Sequence, residues 1–170
     1  MYDLHDIYAQ AAEKIKLFDI FVQTHGLTDK IQADHIGYKC STSAHFHELR
    51  ELFETHSDFI YQSIISERRI AIIKLRKPFH TSCGVINFLE LSDQKPDGSQ
   101  KDGFDHLEFY PVKKSIEELV DYLTDKKVDI HRVVRPHHTT FDISIEDIFI
   151  ARIESERLIE KIIRDEILTQ

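Results

Sequence analysis

Hydrophobic and polar residues follow two different periods along this chain, and each period predicts one type of element. From Asp3 to about Thr24 the apolar residues recur every three or four positions, which predicts an amphipathic helix that ends before Gly26. Farther along, short runs alternate apolar with polar residues, as strands with one buried face do. These runs begin near residues 35, 59, 69 and 83, and again near 105, 130, 139 and 148.

The predicted elements occur in the same order twice. In each half a strand is followed by a helix and three further strands, and Ser43 and Ser115 lie where their side chains can cap the two helices. Internal repeats constrain a fold strongly, so we predict one domain built from two βαβββ modules. The expected ranges are 1–32 for an N-terminal helical addition, 33–92 for the first module, 93–104 for a linker rich in turn residues, 105–156 for the second module and 157–170 for a C-terminal helix.

Each predicted module opens with an aspartate followed by a histidine. His35 follows Asp34 in the first module, and His106 follows Asp105 in the second. A histidine at the start of a strand can place its imidazole at a site, and the two positions are equivalent in the repeat. We therefore predict that His35 and His106 face one shared site. The alternative is two histidines that only bond to their neighbours.

Glutamates accompany the two histidines on the predicted strand faces. Side chains two residues apart in a strand share a face, which puts Glu108 beside His106. Glu90 and Glu154 lie in the last strands of the two modules, and we take them as corresponding positions. The order His, Glu, His, Glu suits a divalent first-row metal. Such a metal polarises an oxygen substrate, and Glu90 could then serve as the catalytic base.

Charge and composition narrow the possible partners. The formal net charge is −8 and the basic residues cluster only in pairs, so a nucleic-acid partner is not expected. No stretch of the sequence resembles a targeting segment or forms an apolar run of about 18 residues, so we expect a cytoplasmic protein without a membrane partner. Cys40 and Cys83 fall in predicted strands and are expected to be buried thiols. A monomer or a homodimer that binds a small-molecule substrate is the expectation.

The duplicated order, with a histidine in each first strand and a glutamate in each fourth, resembles the vicinal oxygen chelate superfamily, which includes glyoxalase I, methylmalonyl-CoA epimerase, bleomycin-resistance proteins and extradiol dioxygenases. Two segments resemble more narrowly its YecM-like branch: Ala33-Asp34-His35-Ile36 and Gly103-Phe104-Asp105-His106-Leu107-Glu108. The resemblance covers about residues 33–156. It implies an α+β fold in which two tandem βαβββ modules form a curved, partly open eight-stranded mixed sheet, with a metal in its cup. The implied metal ligands are His35, His106, Glu154 and Glu90.

The resemblance has departures and leaves three functions open. Many members carry an Asp-Pro-Asp-Gly-Asn-like turn before the final glutamate, whereas this chain has residues 144–149 with a different sequence, and Glu108 competes as a ligand. The first function is a metal-dependent isomerase, lyase or dioxygenase acting on a small oxygenated metabolite, with iron, zinc, nickel or manganese. The alternative is a metal-free protein that binds or sequesters a small molecule. Buried and paired histidines would instead favour a regulatory or structural protein.

Three further side chains are candidates for substrate binding. Arg135 ends a predicted strand and His137 lies in the turn that follows it, where they could recognise an anion or could simply form a solvated turn. Arg152 shares a predicted strand face with Glu154, so it could bind an acidic substrate or pair with that glutamate.

Overall fold

The structure is a computed structural model that describes residues 3–65, 67–134 and 139–168, the last four as backbone only. The described residues form four helices: α1 (Leu4–Thr24), α2 (Ser43–Glu54), α3 (Ile116–Asp125) and α4 (Leu158–Leu168). They also form eight strands: β1 (Ile31–Lys39), β2 (Ser57–Ile65), β3 (Arg68–Thr81), β4 (Gly84–Ser92), β5 (Gly103–Pro111), β6 (His131–Val134), β7 (Thr139–Glu146) and β8 (Phe149–Ile153).

All eight strands belong to one open mixed sheet in the order β2-β3-β4-β1-β5-β8-β7-β6. The first module supplies β1 to β4 and the second supplies β5 to β8, in mirrored order. Within the modules β1 runs parallel to β4 and β5 runs parallel to β8, whereas β1 and β5 pair antiparallel at the centre. The predicted α+β fold with two tandem βαβββ modules is therefore confirmed. We call the β1–β5 pair the seam.

Helices α1, α2 and α3 cover one face of the sheet and form the main hydrophobic core with it. Ile36 of β1 and Leu107 and Phe109 of β5 are fully buried in this core. The ring of Phe18 in α1 packs against that of Phe109, with 5.6 Å between their centroids. Helix α1 contacts β3, β5 and β7, so the N-terminal helix packs against strands of both modules.

The opposite face carries the predicted site and is covered in part by α4. Paired residues of neighbouring strands point to the same face, and Phe88 of β4 lies beside His35 of β1. We call this the histidine face. Its apolar cluster joins side chains of the first module to α4 and consists of Ile70, Ile72, Phe88, Leu158 and Ile162. The sequence predicted α4 but not its position over this face.

Local signals for element ends were right in one module and partly wrong in the other. Ser115 and Glu118 form the reciprocal capping box at the start of α3. The N-cap of α2 is Thr42, whose hydroxyl accepts from a backbone N–H, whereas Ser43 is the first helical residue. Strand β3 also continues past Pro78, although proline is uncommon inside strands that pair on both sides. The β3–β4 ladder is interrupted around this proline, and there the missing N–H costs no ladder bond.

Both cysteines are buried free thiols, as expected. Cys40 lies just after β1 and Cys83 in the turn before β4. Burial raises the pKa of each thiol. In the part of the chain that the structure describes, no helix is both long and apolar enough to cross a bilayer.

Candidate metal centre

Two β-bulges in the seam prepare the site. In the β1–β5 ladder Ala33 pairs with Phe109 and His35 pairs with Glu108, so Asp34 is an extra residue between two pairs. On the other strand the ladder passes over Asp105 in the same way. A bulge re-aims the side chains next to it. Each aspartate can therefore reach the imidazole of the histidine that follows it, although neighbouring residues of a regular strand point to opposite faces.

The two aspartates hold the Nδ1 atoms of the two histidines. Asp34 Oδ2 lies 3.3 Å from His35 Nδ1, and Asp105 Oδ1 lies 2.8 Å from His106 Nδ1. Asp105 also pairs with the ammonium group of Lys39. A carboxylate that accepts the Nδ1 proton leaves the lone pair of the imidazole on Nε2. In the neutral form of each histidine, the aspartate therefore favours the tautomer that binds a metal through Nε2.

The two Nε2 atoms point into one anionic space. Both are buried, and neither has a hydrogen-bond partner among the described residues. The rings are nearly perpendicular, with 5.9 Å between their centroids. Glu108 approaches both atoms, at 3.5 Å from His35 Nε2 and 3.7 Å from His106 Nε2, and Glu90 does so at 3.8 and 4.0 Å. Two imidazoles and two carboxylates therefore converge from both modules.

Gly37 provides the space for one of the imidazoles. It pairs with His106 across the seam, and a Cβ atom at this position would lie 2.0 Å from Cε1 of the His106 ring. The equivalent position in the second module, two residues after the histidine, is Glu108. The two modules thus use one position differently. One leaves room for a ring, and the other supplies a carboxylate.

Charged neighbours keep the carboxylate of Glu108 ionised. Burial alone would raise the pKa of Glu108, but His35, His106 and the cations Arg152 and Lys161 outweigh it and lower this pKa. The Arg152 Nη1 atom lies 3.4 Å from Glu108 Oε1. Burial would also lower the pKa of His35, whereas the negative charges around it, foremost Glu108, raise it. The space between the imidazoles therefore favours a cation.

The strand register corrects the correspondence that we inferred between Glu90 and Glu154. Glu90 lies beside Gly37 in the first module, and the residue beside the equivalent Glu108 is Arg152. Glu154 comes two residues later, where its carboxylate accepts a hydrogen bond of 2.9 Å from Lys161 of α4. Among the described residues, the group that could hold a metal ion consists of His35, Glu90 and His106. Glu154 lies outside this group.

The three predicted substrate-binding residues have different positions. Arg152 lies on the histidine face, and Asp142 binds its guanidinium through two hydrogen bonds of 2.8 and 3.1 Å. It pairs with Asp142 and Glu108 rather than with Glu154. Arg135 and His137 lie outside the described residues.

Two groups that shape the site were missed or underrated by the sequence reading. Glu108 was considered only as a competing ligand, although its spacing from His106 already placed it on the same face. Asp34 and Asp105 were used only as markers of a repeat. The recurrence of Asp-His in both modules was the available signal for a carboxylate that orients each imidazole.

These residues fit a divalent cation. The two Nε2 atoms are buried and lack hydrogen-bond partners among the described residues, and such atoms cost free energy unless something binds them. Imidazole nitrogen with carboxylate oxygen is the donor set of zinc, iron, nickel and manganese sites. A cation there would also offset the negative charges of Glu90 and Glu108.

Comparison with known proteins identifies relatives in sequence and in structure. The family model described as YecM protein matches residues 3–162. A search of curated proteins found no match. Among solved structures, a structural-genomics protein, EC4020, is similar with a TM-score of 0.72 and 20% identity, over 96% of this chain and 92% of that chain. That similarity extends the agreement in fold to nearly the whole chain.

Two enzymes are more distant structural neighbours. Methylmalonyl-CoA epimerase in complex with methylmalonyl-CoA and NH4+ has a TM-score of 0.46 and 15% identity, over 74% of this chain and 95% of that chain. A mutant of 4-hydroxymandelate synthase from Streptomyces coelicolor has a TM-score of 0.39 and 14% identity, over 73% of this chain and 47% of that chain.

Proposed function

We propose a function for this chain, which belongs to the YecM protein family, from the geometry of its own site. It is a metal-dependent enzyme that acts on a small oxygenated metabolite. His35, His106 and Glu90 hold the cation, and Glu108 completes the donor set from the second module. The observation that carries this proposal is the pair of buried Nε2 atoms, which face two carboxylates while their Nδ1 atoms are held by aspartates.

The protein groups divide the remaining tasks. A bound divalent cation supplies Lewis-acid stabilisation of negative charge on a substrate oxygen. Asp34 and Asp105 orient the two imidazoles. The two histidines, together with Arg152, lower the pKa of Glu108 and keep it ionised. Of the two carboxylates, Glu90 has the more exposed side chain, 21% against 9% for Glu108. We therefore propose that one oxygen of Glu90 holds the cation and that its other oxygen accepts a proton from substrate. Isomerase, lyase and dioxygenase chemistry all use such a donor set.

Metal stoichiometry tests the proposal. We expect about one divalent cation per chain after dialysis against zinc, nickel, iron or manganese, measured by elemental analysis. His106→Ala removes one of two imidazole ligands and should weaken binding at least tenfold. His47→Ala is the matched control, because His47 is an exposed histidine on α2. A wild-type chain that binds none of the four metals, or a His106→Ala variant that binds as well as wild type, contradicts the proposal.

A second candidate function is metal-free binding of a small molecule. The observation that favours it is the approach of Glu90 and Glu108 to the imidazoles at 3.5–4.0 Å, distances at which protonated histidines would form ion pairs without a metal. In that case His106→Ala should reduce stability and leave the metal content at background. Elemental analysis and chemical unfolding of the wild type and of His106→Ala therefore separate the two functions.

A further inference from the structure

The candidate metal centre lies under the C-terminal helix. Counted as whole residues, His35, His106 and Glu108 are each at most 7% exposed. The first residue of α4, Leu158, donates its backbone N–H to Asp34 Oδ2 at 2.7 Å, and this is the same oxygen that lies near His35 Nδ1. One helical turn later Lys161 binds Glu154. Helix α4 therefore begins beside His35, and hydrogen bonds attach it to β1 in the first module and to the residue that follows β8 in the second.

The histidine face is divided by polarity at the seam. On the first-module side Ile72 pairs with Glu90, and Ile70, Phe88 and Tyr61 lie next to this pair on the same face. Lys74 and Ser92 are further polar residues on this side. On the second-module side, apart from Ile150, the face carries charged and polar residues: Arg152, Asp142, Ser144 and Glu154. A ligand held by the metal would thus have an apolar wall on one side and a polar wall on the other.

Helix α4 occupies the apolar half with its own apolar side chains. Leu158 and Ile162 are buried against Ile70, Ile72 and Phe88, and Ile159 packs at the edge of the same cluster. This cluster is separate from the main core on the opposite face. Because this cluster is small, it contributes only a small part of the apolar area that the protein buries. Burial of apolar area stabilises by about 25 cal/mol per Å², so a ligand tail of comparable area can compensate for the displacement of α4.

We propose that this apolar strip, formed by Ile70, Ile72 and Phe88, is the subsite for the aliphatic or aryl tail of a ligand whose two oxygens chelate the metal, and that α4 is an intramolecular competitor for the strip. This inference rests on the proposed function, because the metal holds the head of the ligand. Beyond the proposed function, the inference specifies that the oxygenated substrate carries an apolar tail. It also specifies that α4 leaves the strip when the tail binds.

Two hydroxamates of different tail length test the proposal on the full chain loaded with Zn²⁺. Acetohydroxamate and octanohydroxamate present the same chelating head, so the ratio of their dissociation constants isolates the tail. Ile162→Asp puts a charge into the apolar cluster and releases α4, whereas Ile163→Asp is its matched control because Ile163 is 51% exposed. Calorimetry should show the preference for the long tail rising at least tenfold in Ile162→Asp and staying at the wild-type value in Ile163→Asp. Octanamide, which lacks the chelating head, should not bind.

Each other outcome overturns a defined part. An equal ratio in all three proteins, with acetohydroxamate still bound, overturns the subsite and leaves the metal centre in place. A ratio that rises equally in Ile163→Asp assigns the effect to added charge and also overturns the subsite. If neither hydroxamate binds any of the three proteins, the proposed function fails and the subsite fails with it. If α4 unfolds locally in Ile162→Asp, the test is still valid, because it requires only that α4 no longer covers the apolar strip.

Discussion

Gly37 is the residue whose replacement should disturb the site most selectively. In Gly37→Ala the new Cβ would meet the His106 ring at 2.0 Å, so the ring must move away from the shared space. We expect metal affinity to fall at least tenfold and the free energy of unfolding to fall by about 1–3 kcal/mol, the usual cost of overpacking. Metal titration and chemical denaturation measure the two effects.

The double variant Gly37→Ala/His106→Ala is the control for that mechanism. Without the imidazole the added methyl group has space, so Gly37→Ala should cost much less stability in the His106→Ala background than alone. Additive losses in the two backgrounds would show that Gly37 is needed for another reason.

Asp105 should act on the metal through His106. In Asp105→Asn the side chain keeps its size but loses the charge that orients the Nδ1–H group, and partners of this kind contribute about 10–100-fold in metal affinity. Burial alone would raise the pKa of Asp105, but His106 and Lys39 lower it to about 2, so the wild-type side chain is ionised at neutral pH. Metal titration should show the loss, while Asp29→Asn, an exposed aspartate, should titrate like wild type. Unchanged affinity in Asp105→Asn would contradict the positioning role.

At the residue scale the sequence predicted the histidine pair and Glu90, but it could not reveal the strand register. The pairing of Glu90 with Gly37, and of Glu108 with Arg152, depends on how β4 and β8 slide against the central strands. A shift of two residues keeps the same face, so alternation alone could not tell Arg152 from Glu154. The bulges at Asp34 and Asp105 are likewise invisible to a period-2 pattern.

At the scale of elements, Asp93 joins the start of α2 to the sheet. Its carboxylate accepts hydrogen bonds from Arg69 Nε (2.7 Å), Ser43 Oγ (2.9 Å) and the backbone N–H of Gln94 (2.8 Å). Burial alone would raise the pKa of Asp93, but these bonds outweigh it and lower the pKa. The ionised form therefore contributes stability above the unfolded-state pKa of about 3.9, and this contribution is lost as the pH falls through the lower folded-state value.

Asp93→Asn should show this dependence directly. At pH 7 we expect its free energy of unfolding to lie about 1–3 kcal/mol below that of wild type, because a buried charged acceptor is lost. The difference should shrink as the pH falls below about 4, where the wild-type carboxylate in the unfolded state becomes protonated. Urea unfolding at several pH values measures it, with Asp121→Asn on the exposed side of α3 as the control. A difference that is constant with pH would assign the loss to side-chain shape instead of charge.

Elements were more predictable than the site because each depends on local signals. Alternation located all eight strands, and the capping box located α3, since both depend on residues that are close in sequence. The position of α4 could not be predicted in this way. Its apolar stripe requires a partner, but nothing in the stripe distinguishes the histidine face from the opposite face.

At the scale of the whole molecule, the metal would connect the two modules across the seam. His35 and Glu90 come from the first module, and His106 and Glu108 from the second, so the complete donor set exists only in the folded chain. A ligand that binds only the native state adds about 2.7 kcal/mol of stability at a concentration of 100 times its dissociation constant. Denaturation with saturating metal and with chelator should show this gain in wild type and in His47→Ala. A gain of the same size in His35→Ala would show that the metal binds elsewhere.

The unequal use of equivalent positions in the two modules has a stereochemical consequence. A site made from two identical modules would have true twofold symmetry and would present the same surroundings to both ends of a chelating ligand. Here Gly37 corresponds to Glu108, and Glu90 corresponds to Arg152. The pseudo-twofold axis therefore relates a glycine to a carboxylate, and a carboxylate to a guanidinium cation. A chelate bound at the seam would have two chemically distinct sides. Such a site can discriminate between the enantiotopic groups of a prochiral molecule, even though the backbone around it is nearly symmetric.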